Sequence, residues 1–326
     1  MNVNIIGSGS WGITFANMLI KKKLSVTVLH RNSLTSKKLL KTNFHPYLPK
    51  SLISSRINYT AKFTDLSLND ITVLAIPINS IYDFISKHDL SNTKLLLLSK
   101  GIEGRKKMLI SDMLISVFRY NIDNIAILSG PNHAEEVIKE NPTASIVASR
   151  NKPFRKLLQN KISSSTFRIY TSDDIMGVQI GGAVKNVIAI ASGMCEGLGL
   201  GDNAQATLVT RGLHETTQLA KIYKFNLNTL YGLSGLGDLA CTCYSKFSRN
   251  KKIGLLLAQG IDIKTSKLKI GMVSEGVFTS KVLYNIIKRY NLNMPICVEV
   301  YKIIYKNANI KESITGLMGR TLKDEK

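Results

Sequence analysis

The feature that most constrains this chain is a glycine-rich segment, GSGSWG at positions 7–12. It follows the short apolar run Val3–Ile6 and precedes Trp11–Lys23, a stretch whose apolar residues recur at helical spacing. In such a turn the first glycine permits the tight bend, the second lets the backbone approach a pyrophosphate, and the third lets the helix pack against the strand. The N–H groups at the start of that helix attract phosphate oxygens. The segment therefore predicts a strand–turn–helix unit that binds a dinucleotide at Gly7, Gly9 and Gly12.

The alternation of short apolar runs and helical stretches continues through the first half of the chain. Further strands are predicted at Val26–Leu29, Ile71–Ile76, Leu95–Ser99, Ile125–Ser129 and Ala144–Ala148. Such alternation is typical of βαβ units around a mostly parallel sheet. From about Asp174 the periodicity becomes helical, as in Val277–Tyr290 and Ile296–Lys306. We therefore expect an α/β domain over 1–176 and an all-helical domain over 177–326, joined through the glycine-rich helix 177–194.

The charge of the chain raises a different possibility. Lys and Arg number 44 against 22 Asp and Glu, a formal net charge of +22 in 326 residues. A strongly basic protein invites a nucleic-acid or membrane-surface interpretation. The basic residues, however, are scattered in short groups, and aromatic residues are not interleaved with them as base-stacking platforms require. We expect no specific nucleic-acid partner.

The expected location of the protein rests on its N-terminus, its longest weakly charged stretch and its cysteines. The N-terminus has no basic start followed by a long apolar core, so no signal peptide is expected. The weakly charged stretch 175–201 is long enough to cross a membrane, but Gln179, Lys185, Asn186 and Glu196 interrupt it. The four cysteines have neither zinc-site nor thioredoxin spacing, which predicts reduced thiols and no metal site. We expect a cytoplasmic protein without membrane insertion.

Arg31 bears on which dinucleotide is bound. Sites that select NAD usually place a carboxylate at the end of the second strand, where it binds the ribose 2′-hydroxyl. Positions 29–32 contain no Asp or Glu here, and Arg31 has the guanidinium fork that suits a 2′-phosphate. This favours NADP, with NAD as the alternative.

Lys185 is the strongest candidate for proton transfer. It lies in the otherwise apolar helical segment GGAVKN at 181–186, where burying an ammonium has a desolvation cost. A desolvated lysine near other cations can exchange a proton near neutral pH. The alternative is a lysine that extends to the surface. The flanking glycines favour the functional interpretation, because they let a ligand or a second backbone come close.

Two later segments add polar candidates. GLSGLGDL at 232–239 lacks a preceding strand, so a second dinucleotide site is not expected; the segment is either a loop that brings Asp238 to a site or a plain surface turn. The tripeptide Ser248-Arg249-Asn250 suits a phosphate, because the guanidinium binds two oxygens and the other two residues add neutral donors.

Taken together, the ordered motifs resemble those of bacterial NAD(P)-dependent glycerol-3-phosphate dehydrogenases. The motifs are GSGSWG at 7–12, SKGIE at 99–103, SGPNHAEE at 129–136, GVQIGGAVKNVIAIASG at 177–193, GLSGLGDL at 232–239, SRN at 248–250 and VSEGV at 273–277. The likeness extends up to Arg320 and so covers nearly the whole chain.

The resemblance implies a Rossmann domain followed by a helical domain, in the two-domain build of 6-phosphogluconate dehydrogenase. It implies reversible reduction of dihydroxyacetone phosphate to sn-glycerol 3-phosphate, which supplies phospholipid synthesis, and a homodimer. Lys185 matches the family's proton donor and acceptor at the C2 oxygen. Substrate contacts are implied at Lys100, Gly130, Asn132, Lys185, Asp238, Ser248, Arg249 and Asn250. Cofactor contacts are implied at Ser10, Trp11, Arg31, Lys100, Ala134, Arg249, Val273 and Glu275.

The chain departs from the family pattern after Pro131. Many members have Ser or Thr followed by Phe where this chain has Asn132-His133. An asparagine amide still donates a hydrogen bond, so the contact at Asn132 is retained, whereas His133 is left out of the site.

Three other interpretations of the sequence each meet an objection. A related two-domain dehydrogenase, acting on 6-phosphogluconate or ketopantoate, shares the glycine-rich start and a lysine on an apolar helix, but GLSGLGDL and SRN argue against it. A nucleic-acid-binding protein would show a recognition motif. A catalytically inactive scaffold would have lost the residues named above, and all of them are present.

Overall fold

The computed structural model describes residues 1–31, 34–48, 51–68, 70–91, 93–322 and 324–325, with only the backbone of 34–36. Within this part of the chain eight strands form one sheet. The strands are β1 (Asn2–Ile6), β2 (Ser25–Leu29), β3 (Asn58–Thr60), β4 (Ile71–Leu74), β5 (Lys94–Leu97), β6 (Ile125–Ser129), β7 (Thr143–Ala148) and β8 (Phe167–Ser172).

The order of the strands is β3-β2-β1-β4-β5-β6-β7-β8, and every neighbouring pair is parallel except β6 with β7. The first six strands follow the order of a doubly wound dinucleotide-binding fold. The predicted mostly parallel Rossmann sheet is therefore confirmed. The carboxyl ends of its parallel strands lie at one edge, and the order reverses between β1 and β4, where this fold binds ligands.

Helices cover both faces of the sheet. Those before and between the strands are α1 (Ser10–Lys21), α2 (Leu34–Thr42), α3 (Ile78–Lys87), α4 (Ile110–Ser116), α5 (Ala134–Val137) and α6 (Lys152–Ile162). Adjacent residues of β1 belong to different apolar clusters: Ile5 packs with Phe15 of α1, and Ile6 packs with Ile78 of α3. The central strands are thus apolar on both sides, as parallel strands covered by two helical layers require.

The rest of the described chain is helical, which confirms the predicted helical C-terminal part. The helices are α7 (Ile175–Gly197), α8 (Gly201–Thr217), α9 (Asp238–Tyr244), α10 (Arg249–Ala258), α11 (Ile263–Ile270), α12 (Glu275–Tyr290), α13 (Pro295–Lys306) and α14 (Ile310–Met318). By length and composition α7 is able to cross a membrane, but 94% of its apolar window is buried inside the protein. Such burial is typical of a core helix.

The chain forms two compact units. The first contains Met1–Gly182 together with Phe225–Asp238, and the second contains Ala183–Lys224 together with Leu239–Lys326. The first unit thus includes the sheet and one later segment, and the second is helical. The division at 176/177 drawn from the sequence stays a prediction.

Two strands were not predicted from the sequence. β3 has three residues, Asn-Tyr-Thr, and offers no apolar run. In β8 the side chains alternate, with Phe167 and Ile169 buried and Arg168 and Tyr170 exposed. This alternation of period two is the mark of a strand with one solvated face, so β8 carries a strand signal of a different kind from the apolar runs of the other strands.

Candidate active site

The glycine turn after β1 has the shape expected of a phosphate-binding loop. Gly7 adopts φ of +117°, a conformation that side chains rarely accept, and its N–H donates to Leu29 O of β2 at 3.0 Å. Gly12 lies against the carbonyl of Gly7, so a side chain at position 12 would collide with it. Gly9 is the N-cap of α1, and a methyl group at position 9 would meet no protein atom within 4 Å.

This open approach fits a dinucleotide pyrophosphate. The backbone N–H groups of the first turn of α1 come from Ser10, Trp11 and Gly12, and no acidic residue lies in that turn to repel an anion. The indole Nε1 of Trp11 is buried without a hydrogen-bond partner among the described residues, so it has a donor to offer a bound group. Arg31 follows β2 and is exposed, and Ala134 is buried at the start of α5.

A second group of candidates in the first unit is centred on Lys100, which follows β5. Its ammonium donates to Asp238 Oδ2 at 2.7 Å, to Gly130 O at 3.0 Å and to Asn132 Oδ1 at 3.2 Å. Asn132 in turn donates through Nδ2 to Ser145 Oγ at 3.0 Å. The structure thus brings together Lys100, Gly130, Asn132 and Asp238, which the motifs place far apart in the sequence.

The Lys100–Asp238 ion pair is well shielded from water. The side chain of Asp238 is 2% exposed and that of Lys100 is 15% exposed. Removing one partner of such a pair leaves an uncompensated charge and costs about 3–5 kcal/mol. Gly182 of α7 lies beside this pair, because a methyl group there would come within 3.0 Å of Ser129 Oγ and 3.5 Å of the Lys100 side chain. Gly182 therefore leaves room for the lysine.

In the second unit, Lys185 is buried on α7, with 8% of its surface exposed. Its ammonium donates to the hydroxyl oxygen of Thr242, on α9, at 2.8 Å. The neutral hydroxyl fixes the direction of the ammonium without neutralising its charge. The expectation from sequence that this lysine is desolvated, rather than extended to the surface, therefore agrees with its burial.

A second buried lysine lies near this pair. Lys251 of α10 is paired with Glu196 of α7 at 2.6 Å and donates to Tyr244 O at 3.1 Å. Burial raises the pKa of the Cys243 thiol to about 12, and the positive charges of Lys185 and Lys251 oppose that rise. Cys243 is therefore protonated at neutral pH and offers no thiolate here.

The tripeptide 248–250 begins α10. Ser248 is the N-cap, and its Oγ accepts from Lys251 N at 3.2 Å. The exposed Arg249 donates to Val273 O at 3.1 Å. Asn250 donates to Asn186 Oδ1 at 2.8 Å and accepts from Gly276 N at 3.0 Å, next to Glu275 at the start of α12. The side chains of Ser248 and Asn250 thus make internal contacts that order Arg249, while their roles toward substrate stay predictions.

Helices α7 and α10 meet at their backbones. A side chain at Gly193 would collide with the carbonyl of Lys251, and one at Gly254 would collide with the carbonyl of Ile190. At these two points no side chain lies between the helices, so the spacing between Lys185 on α7 and Arg249 on α10 depends on the two glycines.

Sequence reasoning missed several residues that hold the candidates in place. Thr242, Asn186 and Lys251 each contact or face a candidate. The available signal for Thr242 was its position four residues after Asp238, one helical turn later. Among the described residues no three His, Cys, Asp or Glu side chains are grouped as metal ligands would be.

Comparisons with known proteins identify the family of this chain. The family model for the N-terminal part of NAD-dependent glycerol-3-phosphate dehydrogenase matches residues 2–155, and that for the C-terminal part matches 174–315. The chain is 36% identical over 329 residues to the glycerol-3-phosphate dehydrogenase (NAD(P)+) of Chlamydia pneumoniae, covering 99% of this chain and 98% of that protein.

Solved structures of dehydrogenases share the fold of this chain. The crystal structure of glycerol-3-phosphate dehydrogenase from Coxiella burnetii superposes with a TM-score of 0.91 at 30% identity, covering 98% of this chain and 99% of that one. A ketopantoate reductase from Ralstonia eutropha superposes with a TM-score of 0.60 at 12% identity, covering 96% and 100%. The second likeness shows a shared fold alone.

Proposed function

Because the chain belongs to the NAD-dependent glycerol-3-phosphate dehydrogenase family, we propose that it reduces dihydroxyacetone phosphate reversibly to sn-glycerol 3-phosphate. It is an oxidoreductase that uses NAD or NADP and acts on a small phosphorylated substrate. The observation that carries the proposal is the buried ammonium of Lys185, held by Thr242 at 2.8 Å.

Lys185 is the proposed proton donor and acceptor. When bound, the reduced nicotinamide supplies the hydride that reaches C2 of the ketone. Negative charge then develops on the C2 oxygen, where a buried ammonium stabilises it and delivers a proton. In the reverse direction the neutral amine takes that proton back. Thr242 orients the ammonium through its hydroxyl oxygen.

Arg249 is the proposed phosphate ligand of the helical unit. It is exposed at the first position of α10, where its guanidinium is able to reach an anion while one of its nitrogens donates to Val273 O. Fixing the phosphate aligns C2 for hydride transfer, since orientation contributes strongly to the rate. Ser248 and Asn250 add neutral donors in this proposal.

The proposed substrate contacts of the first unit are Lys100, Gly130, Asn132 and Asp238. Their hydrogen bonds to one another form an ordered polar group in which Lys100 carries the positive charge and Asp238 balances it. Because Lys100 already donates three hydrogen bonds within the group, a substrate hydroxyl or carbonyl oxygen would bind to its ammonium by replacing one of these partners.

The dinucleotide is proposed to lie on the turn formed by Gly7, Gly9, Ser10, Trp11 and Gly12, with Arg31, Lys100, Ala134, Arg249, Val273 and Glu275 as further contacts. The open approach over Gly9 supports the pyrophosphate position. Arg31, without a neighbouring carboxylate, supports a preference for NADP over NAD.

The proposal has four further parts. The enzyme supplies glycerol 3-phosphate to phospholipid synthesis, it is cytoplasmic, it forms a homodimer, and its domains are 1–176 and 177–326. They rest on the family resemblance and on the residue patterns given above.

One assay tests the reaction, the substrate and the cofactor together. The purified protein is mixed with dihydroxyacetone phosphate and either NADPH or NADH, and loss of the nicotinamide absorbance is followed at steady state. We expect turnover with both cofactors and a higher kcat/KM with NADPH. Ketopantoate and 6-phosphogluconate (the latter with NADP+) serve as control substrates. Turnover of either control without turnover of dihydroxyacetone phosphate would overturn the proposal.

A further inference from the structure

The segment Phe225–Asp238 belongs to the first unit although helices of the second unit flank it in the sequence. It is held there at both ends. At its far end Asp238 pairs with Lys100 at 2.7 Å. At its near end the Oδ2 atom of Asp174 accepts from Asn226 N at 3.1 Å and from Thr229 Oγ1 at 2.5 Å. These two contacts of Oδ2 are here called the Asp174 clamp.

The clamp is separate from the helix-capping contact of the same side chain. Asp174 immediately precedes α7, and its Oδ1 atom accepts from Gly177 N at 2.9 Å. This is the usual contact between an N-cap and the third residue of a helix. One oxygen therefore caps α7, while the other is free to hold the segment, so the two roles are separable by mutation.

Between its two ends the segment has little freedom to shift. A side chain at Gly181 of α7 would collide with the carbonyl of Ser234, and one at Gly235 would collide with the carbonyl of Leu230. A single π-helical turn, Leu233–Gly237, ends directly before Asp238, with Gly237 N bonded to Gly232 O at 3.1 Å. Such turns are frequent at functional sites. This close packing of the backbone is the route by which a displacement at Asn226 would reach Asp238.

We propose that Asp174 is a positioning residue for the reaction, acting through the segment 225–238 on Asp238 and its partner Lys100. Asp174 itself contacts no candidate substrate or cofactor residue in this scheme. The inference rests on the proposed function, in which Lys100 and Asp238 contact the substrate. It assigns to Asp174 the placement of the Asp238 carboxylate at the ammonium of Lys100.

Asp174→Ser provides the sharpest test. A serine hydroxyl still caps the helix, but it has no second oxygen to make the clamp. We expect kcat/KM for dihydroxyacetone phosphate to fall about 10- to 100-fold, the range for misplacing a group by about 1 Å. NADPH affinity, measured by nicotinamide fluorescence, is expected to fall much less than kcat/KM, because the glycine turn is untouched and Lys100 is only one of the proposed cofactor contacts. The exposed neighbour Asp173, changed to Ala, serves as control with wild-type kinetics.

A second variant covers the case in which Asp174→Ser does not fold. Thr229→Val removes one of the two clamp contacts and leaves the cap intact, so we expect a smaller loss of kcat/KM in the same direction. Backbone hydrogen exchange of both variants is expected to accelerate along 226–237, and not at Asn226 alone.

A double-mutant cycle separates positioning from general structural damage. In an Asp238→Asn background, Asp174→Ser is expected to cause little further loss of kcat/KM, since its target is already altered. Equal losses in both backgrounds would overturn the proposal, as would wild-type kcat/KM in Asp174→Ser. If the wild-type protein does not turn over dihydroxyacetone phosphate, the proposed function fails. In that case hydrogen exchange still tests whether the Asp174 clamp holds the segment 225–238. Acceleration confined to Asn226 would show that it does not.

Discussion

Lys185 and Thr242 form a buried donor–acceptor pair in the helical unit, with the ammonium 2.8 Å from the hydroxyl oxygen. The hydroxyl directs the ammonium without adding charge. If Lys185 is the proton-transfer group, as proposed, we expect it and Thr242 to make separable contributions to the rate.

Replacing Lys185 by Ala is expected to reduce kcat by about 100- to 10,000-fold, the usual contribution of a general acid. Thr242→Val keeps the shape but removes the hydroxyl, and we expect a loss of about tenfold, equal to one hydrogen bond to a charged group. NADPH binding by fluorescence stays near wild type in both. The exposed Lys252 of α10, changed to Ala, is the matched control. A normal rate in Lys185→Ala would remove the assignment.

Arg249→Ala is expected to raise KM for dihydroxyacetone phosphate by about 10- to 100-fold, because a charge-assisted hydrogen bond contributes about 1.5–3 kcal/mol. Arg249→Lys keeps the positive charge but lacks the guanidinium fork, so we expect its KM to lie between those of the wild type and Arg249→Ala. Steady-state kinetics at saturating NADPH measures both, with Lys252→Ala again as control. An unchanged KM in Arg249→Ala would exclude the phosphate role.

Much of the first unit was predictable because the chemistry is local. The glycines at positions 7–12 need only a strand before them and a helix after them, and both are present. The contacts of Asp174 were not predictable, because its partners Asn226 and Thr229 lie 52 and 55 residues away in the sequence. A pattern of residue types carries no information about which distant backbone N–H a carboxylate will meet.

The Lys100–Asp238 pair predicts an asymmetric effect on stability. In Asp238→Asn the ammonium keeps its contacts to Gly130 O and Asn132 Oδ1, whereas in Lys100→Met the carboxylate loses its counter-charge. We expect Lys100→Met to lower the free energy of unfolding by about 3–5 kcal/mol and Asp238→Asn to lower it less.

Chemical denaturation measures these values, and the double variant supplies the control. Since it leaves no unpaired buried charge, Lys100→Met with Asp238→Asn is expected to be more stable than Lys100→Met alone. A double variant whose loss equals the sum of the two single losses would show that the residues do not interact.

Glu215 predicts a dependence of stability on pH. Burial raises the pKa of its carboxyl from 4.5 to about 7, although Ile296 N and Cys297 N donate to it at 2.7 and 3.1 Å. A carboxyl with a raised pKa holds its proton more tightly in the folded state, so the folded state loses stability as pH rises between 4.5 and about 7. That rise in pKa corresponds to about 3 kcal/mol.

Glu215→Gln removes this titration. Relative to the variant, the wild type is expected to lose about 3 kcal/mol of unfolding free energy between pH 4.5 and pH 8, as measured by urea denaturation. The exposed Glu312 of α14, changed to Gln, is the control and should follow the wild-type profile. Parallel profiles for wild type and Glu215→Gln would contradict the prediction.

The backbone contact between α7 and α10 also limits how this scaffold can be re-engineered. Where Gly193 meets Lys251 O and Gly254 meets Ile190 O, no side chain remains to be trimmed or enlarged. A larger or smaller substrate therefore cannot be accommodated by repacking between these helices; one whole helix would have to move.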